Sequence, residues 1–378
     1  MNYRMIGRFI GKMLLVEAAF MIPALLISIF EREPAAVQGF LIAMGITLVL
    51  AVLLLVLCRK TKRGFHAREG LVCVGVSWII MGLLGCLPYY FSGEIPSFID
   101  ALFESVSGFT TTGASILSDV ESLSKGILYW RSFSHWLGGM GVLVFVLAVS
   151  VGSENSKGFT MHLLRAESPG PSVGKLVPKM KKTARILYLL YIVLTILNFI
   201  FLLIGNMPVF DAVCTALGTA GTGGFGIRND SIAGYSPYIQ NVCTVFMLLF
   251  GVNFTCYYLL LSKQFLQVLW DEELRVYLGL ILCSTVLIVL NLRGFYGTLE
   301  ETIRHAAFQV ASIITTTGFA TTDFDLWPSF SKAILLGLML IGASAGSTGG
   351  GFKCGRAILV LKSLHRNVRQ IIHPQKVQ

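Results

Sequence analysis

The apolar positions of this chain fall into long uninterrupted runs rather than the spaced stripes of soluble helices. A membrane-spanning helix needs about 20 predominantly apolar residues. We predict spans over 9–30, 36–58, 71–91, 128–150, 185–205, 238–262, 276–292 and, in a glycine-interrupted form, 329–361. All should be helices, because a bilayer tolerates no unpaired backbone and the runs lack the alternation of barrel strands. The predicted fold class is an all-α polytopic membrane protein.

The composition supports this prediction. Of the 378 residues, 54% are hydrophobic and only 13% are charged, whereas a soluble domain averages about 25% charged residues. Most of the outer surface must therefore face membrane lipid. The net charge of +10 could suggest nucleic acid, but Lys and Arg of membrane proteins collect in cytoplasmic loops. We expect no nucleic-acid partner.

The basic residues also predict the orientation. They cluster in 58–70, in 153–184 and in the tail after 356. An even number of predicted spans separates these segments, so they lie on one side, which the positive-inside rule makes cytoplasmic. We therefore expect a multi-pass protein of the cell inner (plasma) membrane with both termini in the cytoplasm. The N-terminal run lacks a signal-peptide cleavage site and is interpreted as a retained first helix.

Three long outward connections carry a repeated sequence. The segments are ALFESVSGFTTTG at 101–113, AAFQVASIITTTG at 306–318 and a more degenerate AVCTALGTAGTGG at 212–224. Each contains an apolar stretch too short to span, which is typical of a re-entrant half-helix. The repeat predicts helix–pore loop–helix units around a central ion pore.

The repeats also predict the domain organisation. We expect two N-terminal transmembrane helices in 1–70, a first pore-loop unit with a cytoplasmic loop in 71–182, a second unit in 183–275 and a third, containing a glycine-rich broken helix, in 276–378.

A Thr-Thr-Thr-Gly run suits the selection of a small monovalent cation. Glycine permits the φ values that aim successive carbonyls along one axis, and rings of carbonyls can replace the hydration shell of an ion. The incoming half-helix would point its negative C-terminal end at the site. A single copy could equally be a polar turn with a threonine cap, but three copies in matching context favour the filter.

Acidic residues follow each copy at similar distances. The candidates for an outer mouth that concentrates cations are Asp119, Asp230, Asp323 and Asp325. The alternative is a set of ordinary solvated loop acids. Arg228 argues against a uniformly negative mouth.

A second glycine-rich run, GASAGSTGGGFKCGR, covers 342–356. It is not a phosphate-binding P-loop, because Phe352 separates Gly351 from Lys353. Backbone of this kind at membrane depth is tolerated only beside water or buried in protein. The run is either a gate beneath the pore or a simple packing break.

The residue types that support catalysis are scattered. The six histidines and eight cysteines show no metal-ligand spacing, and Glu17, Glu104 and Arg131 form no catalytic constellation in the sequence. We expect neither an enzyme nor a bound cofactor.

Several long motifs are similar to those of a known family. They are SGFTTTGAS (107–115), RSFSHWLGGMG (131–141), LLRAESPGP (163–171), TAGTGGFG (219–226), TTTGFATTDFDLWP (315–328) and AGSTGGGFK (345–353). Through them nearly the whole chain resembles the Trk/Ktr/HKT superfamily of potassium transporters, and within it the TrkH type of membrane subunit.

The resemblance implies a fold, partners and site residues. The family has four pore-loop repeats around one axis, transports K+, and works as a homodimer on a cytosolic nucleotide-binding ring of the TrkA type. The implied K+-binding filter comprises Thr110, Thr111, Thr112, Gly113, Gly221, Thr222, Gly223, Gly224, Thr315, Thr316, Thr317 and Gly318. The implied gating loop comprises Gly342, Gly346, Ser347, Thr348, Gly349, Gly350 and Gly351.

The sequence also departs from the family pattern. The family has a fourth repeat, whereas this sequence reaches Gln378 after the third, and the gating arginine of the family's last helix is absent. We therefore expect a fragment or a truncated gene product. A non-conducting membrane subunit and a sodium-permeable family member are the alternatives, although Gly113 resembles the potassium-selective type.

Overall fold

The computed structural model describes residues 3–59, 67–139, 141 and 180–372, and all regular structure within these ranges is helical. The helices that the fold is built from are α1 (Tyr3–Phe30), α2 (Pro34–Leu57), α3 (Ala67–Gly85), α4 (Leu87–Phe91), α5 (Phe98–Phe109), α6 (Lys125–Gly139), α7 (Met180–Ile204), α8 (Val209–Gly221), α9 (Pro237–Phe250), α10 (Phe254–Leu261), α11 (Phe265–Leu269), α12 (Glu272–Asn291), α13 (Leu299–Ile314), α14 (Ser329–Ile341) and α15 (Cys354–Ile372). The prediction of an all-α fold is confirmed.

Five of the described helices are long and apolar enough to cross a membrane. They are Tyr3–Phe30, Pro34–Leu57, Gly70–Phe91, Arg185–Ile204 and Glu272–Asn291. The bent pair α9 and α10 makes a sixth if it counts as one span. The chain is therefore a multi-pass membrane protein.

Several sequence predictions fall partly or wholly outside the described residues. The predicted span 128–150 is described as a helix up to Gly139, and the motif at 163–171 and most of the basic segments 58–70 and 153–184 lie beyond the described ranges.

The predicted straight span 238–262 is broken. Helix α9 ends at Phe250, α10 begins at Phe254, and their axes differ by 87°. The side chain of Asn253 accepts a hydrogen bond from the Thr255 N–H at 2.9 Å and thereby caps α10. A hydropathy count cannot detect this break, because a cap depends on one polar side chain rather than on mean apolarity.

A short helix occupies each of the three long connections. Helices α5, α8 and α13 have 12, 13 and 16 residues, which at about 1.5 Å per residue is too short to cross a bilayer. Ser97 and Thr298 cap the first residues of α5 and α13. Each helix ends where the repeated Thr-Gly sequence begins.

The N-terminal hairpin positions α6, the helix that follows the first pore loop. Glu33, in the turn between α1 and α2, accepts the N–H groups of Lys125 at 2.7 Å and of Gly126 at 3.3 Å. Glu94 accepts the Ser124 N–H at 2.9 Å. Burial raises the pKa of the Glu94 carboxyl, an effect that its bonds from Ser124 oppose. Two carboxylates thus satisfy N–H groups that a helix start leaves without partners.

We expect Glu33→Ala to lower the melting temperature of the purified protein, because it removes the acceptor at the start of α6 at a cost of about 1 kcal/mol. Glu31→Ala is the matched control, since that carboxylate only pairs with the exposed Lys125 ammonium, a type of contact worth about 0–1 kcal/mol. Equal melting temperatures for the two variants would contradict the capping role.

Candidate ion site

The three Thr-Gly segments share one unusual backbone conformation. A threonine at the end of each short helix has a positive φ, and so does the glycine two residues later. The values are Thr111 54°, Thr222 50°, Thr316 57°, Gly113 75°, Gly224 81° and Gly318 90°. A β-branched residue at positive φ is an outlier that costs about 1–3 kcal/mol and persists only where its surroundings enforce it. The recurrence of this conformation in all three segments indicates that the surrounding structure enforces it.

The N–H groups of these segments are bonded back to the preceding helix. In the first copy the Thr111 N–H donates to the Gly108 carbonyl at 3.1 Å and the Thr112 N–H to the Ser107 carbonyl at 2.9 Å. The same two bonds recur at Thr222 and Gly223, and at Thr316 and Thr317. This is a helix cap of the left-handed type. Because these two N–H groups of each copy are engaged, the carbonyl oxygens of the turns can face a ligand.

The fold brings the three segments into contact. A Cβ atom placed on Gly113 would fall on the carbonyl oxygen of Gly223, and one placed on Gly224 would fall on that of Thr317. Glycine is required at these two positions for close backbone approach. The predicted filter residues 110–113, 221–224 and 315–318 therefore meet at one place, beside the C-terminal ends of three helices. Carbonyl oxygens and helix C-termini both attract cations.

The first and third copies carry matching side-chain braces. The Thr110 and Thr112 hydroxyls lie 2.8 Å apart, and those of Thr315 and Thr317 lie 2.7 Å apart. In addition, the Ser107 hydroxyl donates to the Ala114 carbonyl, as Ser312 does to Phe319, both at 2.6 Å. These bonds hold each turn against the helix that precedes it.

Sequence reasoning missed a buried ion pair beside the site. Arg131 on α6 bonds to Glu104 on α5, and the two residues are 2% and 0% exposed. Glu104 also accepts the Ser115 hydroxyl at 3.0 Å and the Ile116 N–H at 3.2 Å. The sequence did contain a signal for this pair. Ionisable residues near the apolar segments of a membrane protein are rare and by default mark functional positions.

The predicted outer-mouth acids make mostly local contacts. Asp119 accepts the side-chain amide of Asn229 at 2.9 Å, and Asp323 accepts the Asp325 N–H at 2.9 Å. Asp230 and Asp325 are exposed. The bond between Asp119 and Asn229 connects two neighbouring loops, and the role of the acids in a pore mouth stays a prediction.

The glycine-rich run 342–351 fits against the break between α9 and α10. Ser344 N–H donates to the Gly251 carbonyl at 3.1 Å, and Phe254 N–H donates to the Gly346 carbonyl at 3.1 Å. The Thr348 hydroxyl bonds the Phe250 carbonyl at 3.2 Å. The break between α9 and α10 and the break after α14 both leave backbone groups without intrahelical partners. These groups bond to each other across the two breaks.

The same run reaches the third Thr-Gly segment. Gly350 N–H donates to the Thr316 hydroxyl at 2.6 Å. A Cβ atom on Gly349 would approach the Thr315 carbonyl oxygen to 2.9 Å. Glu273, at the start of α12, accepts the Ala345 N–H at 2.7 Å and the Gly355 N–H at 2.8 Å, so one carboxylate holds the run near both ends.

No group of three or more His, Cys, Asp or Glu side chains in the described ranges could hold a metal ion.

Spanning helices, half-helices that end at glycine-rich turns and converging carbonyls define a membrane protein of the ion-transporting class. The family model of TrkH, described as a cation transport protein, matches residues 36–378. The chain belongs to this family, which is one of transporters and not of enzymes.

Individual relatives agree with this assignment. The Trk system potassium uptake proteins TrkH of Salmonella typhimurium and of Escherichia coli strain K12 are each 36% identical, over 100% of this chain and 78% of the relative. The crystal structure of the potassium transporter TrkH from Vibrio parahaemolyticus superposes with a TM-score of 0.87 at 31% identity, again over 100% of this chain and 78% of that chain.

Two alanine substitutions separate backbone conformation from close approach. Gly318→Ala meets open space, so we expect only the cost of a positive φ, about 1 kcal/mol. Gly113→Ala has a similar φ but also collides with the Gly223 carbonyl, which should add about 1–3 kcal/mol of overpacking. The melting temperature in detergent should therefore fall further for Gly113→Ala. The reverse order would contradict the contact between the first two segments.

Proposed function

We propose that this chain is the pore-bearing subunit of a potassium uptake system, conducting K+ through a filter made of backbone carbonyls. The observation that carries the proposal is the threefold recurrence of one strained Thr-Gly conformation at a common meeting point. The potassium transport named for its relatives indicates the ion. The filter residues are those of 110–113, 221–224 and 315–318.

The preference for K+ over Na+ follows from the same residues. Carbonyl oxygens held at fixed spacing replace the water shell of one ion size better than that of another. Spacing is set here by glycines that admit no side chain, since a Cβ atom on Gly113 would displace Gly223. Asp119, Asp230, Asp323 and Asp325 would concentrate cations at the outer mouth.

We infer that the run 342–351 is the gate. Its bonds to Thr316 and to the broken pair α9 and α10 support a position directly beneath the filter. Small residues allow a second conformation at little steric cost. A partner that prefers one conformation would shift the population between blocked and open states.

The remaining proposals concern partners and orientation. We propose a homodimer in the inner membrane, with both termini cytoplasmic and a TrkA-type nucleotide-binding ring on the cytoplasmic side. The basic bias of the predicted cytoplasmic segments supports the orientation.

The test of the proposed function is ion flux in proteoliposomes that contain the purified full-length protein. We expect the wild type to carry K+ faster than Na+, and Gly113→Ser to lower the K+/Na+ flux ratio by about tenfold, or about 1.4 kcal/mol of discrimination. Gly93→Ser is the control, because Gly93 has a similar φ of 77° in open space away from the filter. A wild type that carries neither ion, or carries both equally, would refute the proposal.

A second experiment tests the gate. Glu273→Ala releases the Ala345 and Gly355 N–H groups, so we expect the loop to leave its closed position more often and basal K+ flux to rise by several-fold, a shift of about 1 kcal/mol. Glu272→Ala, one residue away, removes only an exposed ion pair with Lys362 and serves as the control. Flux that merely tracks the amount of protein in both variants would show that the loop is a packing break.

A further inference from the structure

The second Thr-Gly segment lacks the side chains that brace the other two. Where the first and third copies have a pair of threonine hydroxyls and a serine, the second has Gly221, Gly223 and Gly218. Glycine has no side chain, so these residues bond the turn to its own helix through the backbone alone, as the Gly223 N–H does to the Gly218 carbonyl at 3.1 Å. The backbone conformation of the second copy is nevertheless the same, with Thr222 at φ 50° and Gly224 at φ 81°. The side-chain contacts to this turn come instead from outside the segment.

A histidine from the preceding repeat occupies the vacant space. A Cβ atom placed on Gly223 would fall on the imidazole ring of His135, and one placed on Gly221 would fall on the His135 carbonyl oxygen. The His135 ring stacks on the Phe225 ring at 4.1 Å between centroids. Its Nδ1 atom accepts the Phe225 N–H at 3.4 Å. The imidazole therefore contacts the second filter segment and the residue after it.

Arg131 lies one turn before His135 on α6 and contacts the two residues that follow the second filter segment. Its guanidinium donates to the Gly226 carbonyl at 2.8 Å and lies 3.6 Å from the centre of the Phe225 ring. Glu104 fixes the guanidinium and at the same time accepts from Ser115, just after the first filter segment. The ion pair thus connects the exits of two neighbouring filter segments.

The chemistry of these residues argues against a purely stabilising role. His135 is 0% exposed. Burying a polar imidazole ring costs free energy that an apolar side chain of similar size would not cost. A buried ion pair such as Glu104–Arg131 is likewise often no more stable than apolar residues of similar size. What these polar groups provide, and apolar ones would not, is directed contact with backbone atoms beside the filter.

We propose that His135 and the Glu104–Arg131 pair form an external brace that positions the second filter segment and thereby sets the ion selectivity of the pore. The inference rests on the proposed function. All three are positioning residues, because they bond to the backbone after Gly113 and Gly224 rather than to the ion.

The experiment measures the K+/Na+ flux ratio of the full-length protein in proteoliposomes, a quantity that does not depend on how much protein folds. His135→Ala removes the imidazole part of the brace, and we expect the ratio to fall by about tenfold, equivalent to about 1.4 kcal/mol. His135→Phe keeps the ring and the stacking but loses the acceptor for the Phe225 N–H, so the ratio should fall by a smaller factor. This second variant decides the question if His135→Ala does not fold.

A double variant distinguishes a specific contact between His135 and Gly223 from a general loss of folding. Gly223→Ala should lower the ratio because its methyl group collides with the imidazole, and Gly223 does not have a positive φ that would forbid a side chain. The double variant His135→Ala/Gly223→Ala has no collision, so its loss should be less than the sum of the two single losses, the coupling expected of residues in contact. Additive losses would contradict the contact.

His305→Ala is the matched control, since His305 is also buried but bonds Thr321 instead of a filter segment. We expect its flux ratio to equal that of the wild type. If the wild type discriminates between K+ and Na+ and both His135 variants retain its ratio, the brace is overturned while the proposed function stands. If the wild type does not discriminate, the proposed function itself has failed.

Discussion

Backbone N–H and C=O groups at membrane depth have no water to pair with, and the arrangement of the described helices follows from that constraint. Helices satisfy it internally, but α9 and α14, with 14 and 13 residues, both end before they are long enough to cross a bilayer. Backbone groups beside the two helix ends bond to one another. The Ser344 N–H donates to the Gly251 carbonyl, and the Phe254 N–H donates to the Gly346 carbonyl. At the pore helices the N–H groups of the Thr-Gly turns bond backwards. The carbonyl oxygens of Gly223 and Thr317 lie where the segments meet.

The strained backbone at this meeting point is held by side-chain contacts, which come from the same repeat in the first and third copies and from a neighbouring helix in the second. Three threonines adopt a positive φ, which an isolated turn would relax. In two copies hydroxyl bonds from the same repeat prevent relaxation, and in the second copy α6 of the preceding repeat supplies the contacts. The glycines between them allow backbone to approach backbone. Selectivity, in this account, is a property of how firmly carbonyl spacing is enforced by surrounding helices.

The sequence predicted the elements that depend on local pattern. Spanning runs are long enough to be recognised from apolarity. The Thr-Gly repeat predicted the three short half-helices because each copy preserves the Thr and Gly that its turn requires. The break at Gly251 was missed, because it depends on one capping asparagine and on a loop about 90 residues later in the chain.

The other features that the sequence did not predict depend on contacts between segments that are distant in the chain. Glu273 was not singled out in the sequence, yet its carboxylate accepts the N–H of Ala345 in the glycine-rich run and the N–H of Gly355 in the first turn of α15. Glu104 and Arg131 were noticed as ionisable residues but not as partners, since 27 residues separate them. The second repeat has glycine at position 223, where the other two copies have threonine. The His135 ring, from the preceding repeat, fills the space where a side chain of Gly223 would lie.

The central claim is that carbonyls of the three Thr-Gly segments together form a cation site. A crystal structure of the full-length protein with Rb+ or Tl+ in place of K+ tests it most directly, because both ions scatter anomalously. The account predicts an anomalous peak within coordination distance, about 3 Å, of the carbonyl oxygens of Thr112, Gly223 and Thr317, which weakens when Na+ replaces the heavier ion. A peak elsewhere, bound by side chains and absent from this meeting point, would contradict it.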